Sequence, residues 1–255
     1  MKILPLIIIL TAALIAAAQS PSEVERKILA QLDNIDKYST YLGEYDETKI
    51  DQANKALQET LMRNGKRLDI LRYAFPKLKD KMYVATSADA KLRIYSWDLG
   101  TGGTMHDIEN VYQFQGKSGN VNTWMETGNE ESGGGGYCSQ IFQVNSQDGP
   151  IYFAVSTFVA QGTLHGQSIN AIRINGEVID VKAKAIRTGS GLVNSIDFAY
   201  DPASLGERSE MLVRFDSAKQ EFRFPIVVED KTYENGRVTN RFITYRFNGQ
   251  YFVKI

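Results

Sequence analysis

The residues best suited to chemistry or to binding a ligand lie in one loop. A strand-like segment ending at Trp97 continues directly into Asp98-Leu99-Gly100-Thr101-Gly102-Gly103-Thr104-Met105-His106. The three glycines allow the backbone to approach a ligand closely or to adopt positive φ, and loops on a rigid scaffold often carry function. The predicted binding residues are Trp97, Asp98, Thr101, Thr104 and His106. Alternatively, the loop is a wide turn that Asp98 caps, with His106 at the surface.

The sequence contains only two histidines, and both lie in glycine-rich loops. They are His106 and His165, the second within Gln161-Gly162-Thr163-Leu164-His165-Gly166. If the two loops meet in space, both imidazoles together with Asp98 would form a zinc-type site. Neither histidine has a second ligand at a short zinc-type spacing, so we predict no metal and no cofactor. One pocket holding both histidines and Asp98 would instead favour a hydrolase with a His/Asp site.

Cys138 is the only cysteine, so it cannot form an intrachain disulfide. A free cysteine commonly packs as a small buried hydrophobe, and we expect that here. A Cys–His–Asp triad would need an activated, partly exposed thiolate. The glycines before Cys138 are more typical of a mobile loop than of an oxyanion hole. We therefore predict no catalytic residue.

The first residues have the form of a secretory signal peptide. Lys2 precedes an apolar run from Ile3 to Leu14, and small residues follow at Ala16 to Ala18. This run is shorter than the about 20 apolar residues that cross a bilayer, so we expect cleavage after Ala18 rather than an anchor. We predict a signal peptide over 1–18, a periplasmic or extracellular location and no membrane span in the mature chain.

The charge balance argues against nucleic acid as a partner. The chain has 29 basic and 30 acidic side chains, and the predicted leader contains only Lys2 of these, which leaves a small negative excess. Proteins that bind nucleic acid usually have a basic excess or stripe that displaces counterions from phosphates. We expect no nucleic-acid binding.

Residues 19–76 are predicted to be a helical segment. Val24, Ile28, Leu32 and Ile35 recur at helical spacing. Ser20, Pro21 and Glu23 have the pattern of a capping box with proline at the first helical position. A second helix is expected to begin after Asp46 and to stop at Asn64-Gly65, and a short third helix to end at Phe75, before Pro76. Three tyrosines near the first helices would either contact a partner or fasten the helices to the sheet: Tyr38, Tyr41 and Tyr45.

Residues 77–255 have the alternation of period two that is typical of an antiparallel β domain. The predicted strands cover 82–86, 92–97, 110–114, 121–125, 139–144, 151–159, 169–174, 178–181, 195–200, 211–215, 222–228, 241–247 and 251–254. Turn dipeptides that favour positive φ separate several of them: Asp148-Gly149, Asn175-Gly176, Asn235-Gly236 and Asn248-Gly249. We predict a mainly β protein with an antiparallel sandwich or partly closed barrel, or alternatively a small propeller-like arrangement.

Two stretches resemble exported β-rich bacterial proteins to which no activity is assigned. They are Leu92 to Asp98 with Gly100 to Thr104, and the C-terminal Arg241 to Gly249. The resemblance covers about the β domain, and it implies export and a β-rich fold without implying a function.

The function expected from the sequence is that of an exported, non-catalytic binding module of the cell envelope. Its partner would be an envelope protein or a glycan, bound through loops at one end of the β domain. The alternative is an envelope hydrolase that uses a His/Asp site.

Overall fold

The computed structural model of this chain describes residues 19–41, 44–103, 105–125 and 135–255. The predicted signal peptide and Thr104 of the predicted binding set lie outside the described residues. Three α-helices occur: α1 (Pro21–Tyr38), α2 (Glu47–Asn64) and α3 (Leu68–Arg72). A short 3-10 helix covers Pro202–Leu205.

Fifteen strands are present in the part of the chain that the structure describes. In chain order they are β1 (Tyr83–Thr86), β2 (Leu92–Asp98), β3 (Ile108–Gln115), β4 (Val121–Met125), β5 (Tyr137–Ser146), β6 (Gly149–Gln161), β7 (Leu164–Asn175), β8 (Val178–Asp180), β9 (Ile186–Thr188), β10 (Gly191–Val193), β11 (Ser195–Tyr200), β12 (Arg214–Asp216), β13 (Glu221–Val228), β14 (Arg237–Phe247) and β15 (Phe252–Lys254).

The strands form three sheets. Sheet A has the order β1-β2-β3-β4, sheet B the order β11-β7-β6-β5 with β8 beside β7, and sheet C the order β10-β9-β15-β14-β13-β12. Within each sheet the pairing is antiparallel except between β15 and β9, which run parallel. Each sheet is open at its edges among the described strands, so the sandwich alternative describes this β-rich fold and the barrel does not.

Hydrophobic clusters show that the elements stack in four layers. The helices pack on one face of sheet A through residues such as Ile28, Leu57 and Trp97. The other face of sheet A packs on sheet B, with Ile94 and Phe114 against Tyr152. Sheet B then packs on sheet C through a cluster that includes Phe153 and Phe222.

The helix ends follow the predicted signals closely, with one exception. The amide of Glu23 donates to Ser20 Oγ over 3.3 Å, and the amide of Ser20 donates to Glu23 Oε2 over 2.7 Å, which confirms the capping box. Helix α2 is capped by Asp46, whose carboxylate accepts from the amide of Lys49, and it ends at Asn64 as predicted.

Helix α3 is shorter than predicted, because it ends at Arg72 and not at Phe75. The buried guanidinium of Arg93 donates to the carbonyl oxygens of Ile70, at 3.0 Å, and Tyr73, at 2.7 Å. These bonds satisfy carbonyls that a continuing helix would use, and Tyr73 is already extended. We therefore attribute the end of α3 at Arg72 to these hydrogen bonds from β2, and not to Pro76.

The turn dipeptides lie where hairpins were predicted. Gly149 joins β5 to β6, Gly176 joins β7 to β8, and Gly249 joins β14 to β15, each with positive φ. Strands β9 and β10, with three residues each, were not predicted. No helix among the described residues is long and apolar enough to cross a membrane.

Candidate functional site

The loop between β2 and β3 is fastened to the helices. Asn54 Nδ2 donates to the carbonyl oxygen of Leu99 over 2.8 Å. The amide of Thr40 donates to the carbonyl oxygen of Gly100 over 3.3 Å. Gly100 has φ of +73°, and a Cβ there would lie 2.9 Å from Ile35 Cγ2. The loop therefore needs glycine at this position both for its backbone and for its approach to α1.

Asp98 and His106 form a contacting pair where this loop opens. Asp98 Oδ2 contacts His106 Nδ1, and Asp98 Oδ1 accepts from the amide of Gly100 over 2.8 Å. Because a carboxylate is an acceptor, a neutral imidazole in this contact carries its proton on Nδ1 and has Nε2 as an acceptor. The two side chains are 31 % and 39 % exposed, respectively, so a ligand can reach them.

The ring of Tyr41 stacks on His106. The ring centroids are 5.2 Å apart, and the phenol oxygen lies 3.4 Å from His106 Nδ1. Burial raises the pKa of Tyr41 to about 12, and the carboxylates of Asp98 and Asp107 act in the same direction. Tyr41 thus remains a neutral phenol that restricts the imidazole from one side. Of the three tyrosines considered in the sequence, this one is part of the site.

A cleft of about 530 Å³ opens beside the Asp98–His106 pair. It is bordered by the segment before β1, by β1, β2, β3 and β5, and by the end of β6. The lining residues are Lys79, Asp80, Lys81, Met82, Tyr83, Ser96, Trp97, Asp98, His106, Ile108, Tyr137 and Val159. This volume falls in the range of small-molecule sites.

Two stacked tyrosines provide the aromatic surface of the cleft. Tyr83 on β1 and Tyr137 on β5 have ring centroids 4.1 Å apart and planes inclined by 15°. Tyr83 remains 46 % exposed, whereas burial raises the pKa of Tyr137 well above its ordinary value. Sequence reasoning missed both residues, because they come from strands in different sheets.

The predicted binding residues differ in their relation to the cleft. Asp98 and His106 line it together. Trp97 also borders it, but this residue is 2 % exposed and its indole nitrogen donates to Asn54 Oδ1 over 2.9 Å. The hydroxyl of Thr101 donates to Asp107 Oδ2 over 3.2 Å, and Thr101 is absent from the cleft lining. Among the described residues of the set, Asp98 and His106 therefore bring accessible polar groups to the cleft.

The two histidine loops adjoin each other. The amide of His106 donates to the carbonyl oxygen of Val159 over 3.2 Å, and Val159 lies opposite His165 in the pairing of β6 with β7. His165 does not line the cleft. Among the described residues, no group of three or more His, Cys, Asp or Glu side chains stands close enough to hold a metal ion.

Polar groups also surround His165. Tyr200 lies opposite it on β11, and its buried hydroxyl has no hydrogen-bond partner among the described residues. Burial raises the pKa values of Tyr200 and Tyr137, and the negative charge of Glu210 raises them further. The same charge raises the pKa of His165, so Glu210 interacts both with His165 and with Tyr137 in the cleft lining. This cluster forms the polar surroundings of the cleft on the side of sheet B.

The titration of His165 gives a testable dependence of stability on pH. Burial lowers the pKa of His165 below its ordinary value of 6.5, His106 lowers it further, and Glu210 and Asp201 oppose the shift. The folded chain therefore binds this proton less readily than the unfolded chain, so the stabilisation is complete above pH 6.5 and is lost as the pH falls through the folded pKa. We expect the wild-type melting temperature to drop more on acidification than that of His165→Gln. Equal slopes for the two proteins below pH 6.5 would contradict this expectation.

Cys138 is buried, as expected from the sequence. It is 1 % exposed, and burial raises the pKa of its thiol to about 12. Its amide donates to Ser96 Oγ over 3.0 Å, which ties the start of β5 to β2. A neutral, enclosed thiol is a poor nucleophile, which argues against the Cys–His–Asp triad considered from the sequence.

The cleft thus combines an exposed aromatic ring, a carboxylate–imidazole pair, and a short stretch before β1 with two lysines and one aspartate. These groups come from different sheets, and the helices hold the loop that carries two of them. Comparison of the chain with protein-family models, with curated proteins and with solved structures gives no match.

Proposed function

We propose that this chain is an exported, non-catalytic binding module whose cleft takes a neutral glycan of the cell envelope. The observation that carries the proposal is the presence of the stacked Tyr83–Tyr137 pair and the Asp98–His106 pair in one cleft. The leader-like residues 1–18 support placing the protein in the envelope.

The chemistry of the cleft suits a saccharide. An aromatic side chain packs against the C–H groups of a sugar ring, and Tyr83 is available for such a contact because it is exposed and lines the cleft. Sugar hydroxyls need acceptors as well as apolar contact, and the free Nε2 of His106 and the carboxylate of Asp98 are acceptors. A few polar groups placed beside an apolar wall are the usual composition of a small-molecule site.

The charges around the cleft favour a neutral ligand over an anion. Lys79 and Lys81 line it together with Asp80 and Asp98. The ammonium of Lys81 is also held by Asp33 and Asp36 on α1, at 2.9 and 2.7 Å. Lys81 is therefore paired with carboxylates, and the two lysines of the lining are balanced in number by two aspartates, so the cleft lacks the positive excess that an anionic ligand would require.

Replacing Tyr83 by alanine is expected to weaken glycan binding while leaving the fold intact. Loss of one aromatic contact of about 1 to 1.5 kcal/mol corresponds to about tenfold in affinity. The measurement is calorimetric titration with soluble neutral and anionic oligosaccharides, and the neutral set should bind more tightly. Tyr45→Ala is the matched control, because Tyr45 is similarly exposed and lies outside the cleft lining.

Asp98 and His106 give a second arm of the same experiment. His106→Ala and Asp98→Asn should each weaken the binding of the same oligosaccharide. Thr101→Ala should not weaken it, because the Thr101 hydroxyl donates its hydrogen bond to Asp107. If no oligosaccharide binds, or if all these variants bind as the wild type does, the glycan proposal is rejected.

A hydrolase remains the second candidate, because Asp98 orients the imidazole of His106 with Nε2 free. A carboxylate-oriented imidazole is the usual arrangement of a general base, which here would act on water. Incubation of the bound oligosaccharide with the wild type and with His106→Gln distinguishes the two functions. Products that form only with the wild type would establish hydrolysis, and an unchanged oligosaccharide supports the binding module.

A further inference from the structure

Three arginines surround a separate cavity of about 280 Å³ on the outer face of sheet C. We call this cavity the arginine pocket, defined by Arg208, Arg214 and Arg223 together with Met211 and Phe242. Arg223 lies between Phe222 and Phe224, which are buried against sheet B, so strand alternation directs Arg223 to the outer face. The pocket therefore belongs to a different surface from the glycan cleft.

Arg214 and Arg223 lie directly opposite each other in the pairing of β12 with β13. Like charges in this position destabilise an antiparallel pair. Asp216 and Glu221 form the neighbouring pair on the same face of these strands, but both carboxylates have other partners. Glu221 pairs with Arg246 at 2.6 Å, and Asp216 pairs with Lys219 at 3.8 Å. Among the described residues, these two facing arginines thus have no carboxylate within ion-pair distance.

Arg208 adds a third guanidinium that is held in place. Its Nη1 donates to the carbonyl oxygen of Val238 over 2.9 Å, which leaves its other N–H groups available. In the described part of the chain, no carboxylate lies within 4.0 Å of any of the three guanidiniums. The charge of Glu210, close by in sequence, acts on Tyr137, His165 and Tyr200.

We propose that the arginine pocket binds the phosphate group of a small organic phosphomonoester. Guanidinium groups bind phosphate oxygens through paired N–H donors, and three arginines line one cavity here. Phe242 and Met211 are 44 % and 39 % exposed, and Arg223 lies over the Phe242 ring with 4.8 Å to its centroid. These apolar side chains provide the surface for the organic part of the ligand.

Titration with phenyl phosphate tests this site directly. A hydrogen bond to a charged group contributes about tenfold or more in affinity, so Arg214→Gln and Arg223→Gln should each weaken binding by about that factor. Binding should also weaken as the salt concentration rises. Arg187→Gln is the matched control, because Arg187 is an exposed arginine on β9 of the same sheet and is absent from the pocket lining.

Thermal melting separates a binding role of these arginines from a structural one. Without phosphate, the double variant Arg214→Gln/Arg223→Gln should melt at the same temperature as the wild type or higher, because like-charge repulsion is removed. Phenyl phosphate should raise the melting temperature of the wild type and of Arg187→Gln, but not that of the double variant. A double variant that binds phenyl phosphate as the wild type does would overturn the proposal.

Two further probes identify the source of the phosphate group. Inorganic phosphate tests the free anion, and vesicles containing phosphatidic acid test a lipid headgroup. Tighter binding of phenyl phosphate than of inorganic phosphate supports the role of Phe242 and Met211, and vesicle binding lost in the double variant would identify a lipid as the carrier. If sodium chloride of equal ionic strength raises the wild-type melting temperature as much as phosphate does, the site is rejected.

Discussion

Replacing Trp97 by alanine is expected to destabilise the fold by about 3 to 5 kcal/mol, the usual cost of removing a large buried aromatic side chain. The residue is 2 % exposed and belongs to the cluster that joins the helices to sheet A. Its indole nitrogen donates to Asn54 Oδ1. The substitution therefore opens a cavity in this cluster and leaves a polar atom of α2 without its partner.

Urea unfolding of the Trp97→Ala protein measures this loss, and Trp97→Phe separates its two parts. The phenylalanine keeps most of the packing and removes the indole hydrogen bond, so it should cost about 1 to 2 kcal/mol. Tyr83→Ala, at an exposed position of the same cleft, removes only the stacking on Tyr137 and should cost about 1 kcal/mol. Similar stabilities for the Trp97→Ala and Tyr83→Ala proteins would contradict the assignment of Trp97 to the core.

The Trp97 result also bears on the glycan cleft. Asn54, which accepts the indole hydrogen bond, uses its amide nitrogen to hold the carbonyl oxygen of Leu99 in the loop that carries Asp98 and His106. We expect Trp97→Ala to weaken ligand binding through this loop, without any contact between the indole and the ligand. The comparison of binding variants therefore rests on Tyr83 and His106, whose side chains are accessible.

The sequence could predict those parts of the site that depend on neighbours along the chain. Asp98 and His106 close one loop, so their meeting follows from the hairpin of β2 and β3. Alternation along a strand places Trp97 and Ser96 on opposite faces of β2, but it does not reveal that helices cover the face of Trp97. The stacking of Tyr83 on Tyr137 depends on how sheet A packs against sheet B, which no local pattern specifies.

In the fold, too, features that depend on neighbouring residues were predictable, and contacts between distant segments were not. Hairpins with Gly at positive φ were predictable, because the turn residues are adjacent in sequence. The parallel contact of β9 with β15 was not, since it joins a three-residue strand to the C-terminal strand. Residues 211–213 were predicted to begin a strand, yet β12 starts only at Arg214.

A buried glutamine replaces the missing strand pairing at residues 211–213. Gln167 on β7 is 1 % exposed, and its Oε1 accepts from the amides of Leu212, at 3.2 Å, and Val213, at 3.3 Å. Its Nε2 donates to the carbonyl oxygen of Glu210 over 2.6 Å. One side chain thus satisfies the amides of the buried residues Leu212 and Val213, which would otherwise lack partners, and also binds the carbonyl oxygen of the exposed Glu210.

Gln167→Leu is expected to lower the free energy of unfolding by about 3 kcal/mol or more, because each unsatisfied buried backbone group costs about 1 to 3 kcal/mol. Gln140→Leu is the matched control, since Gln140 also contacts this segment but donates only one hydrogen bond, to the carbonyl oxygen of Val213 over 3.2 Å. Its loss should cost about 1 kcal/mol. Chemical unfolding of both proteins measures the difference, and equal losses would show that Gln167 does not support the segment as described.

The Gln167 substitution is also expected to affect both proposed sites. The segment that Gln167 holds contributes Met211 and Leu212 to the arginine pocket, and its Glu210 acts on Tyr137 at the wall of the glycan cleft. A looser segment should therefore weaken phenyl phosphate binding strongly and oligosaccharide binding to a smaller extent. If Gln167→Leu unfolds more easily but binds both ligands as the wild type does, the segment is only structural, and the two sites are independent of it.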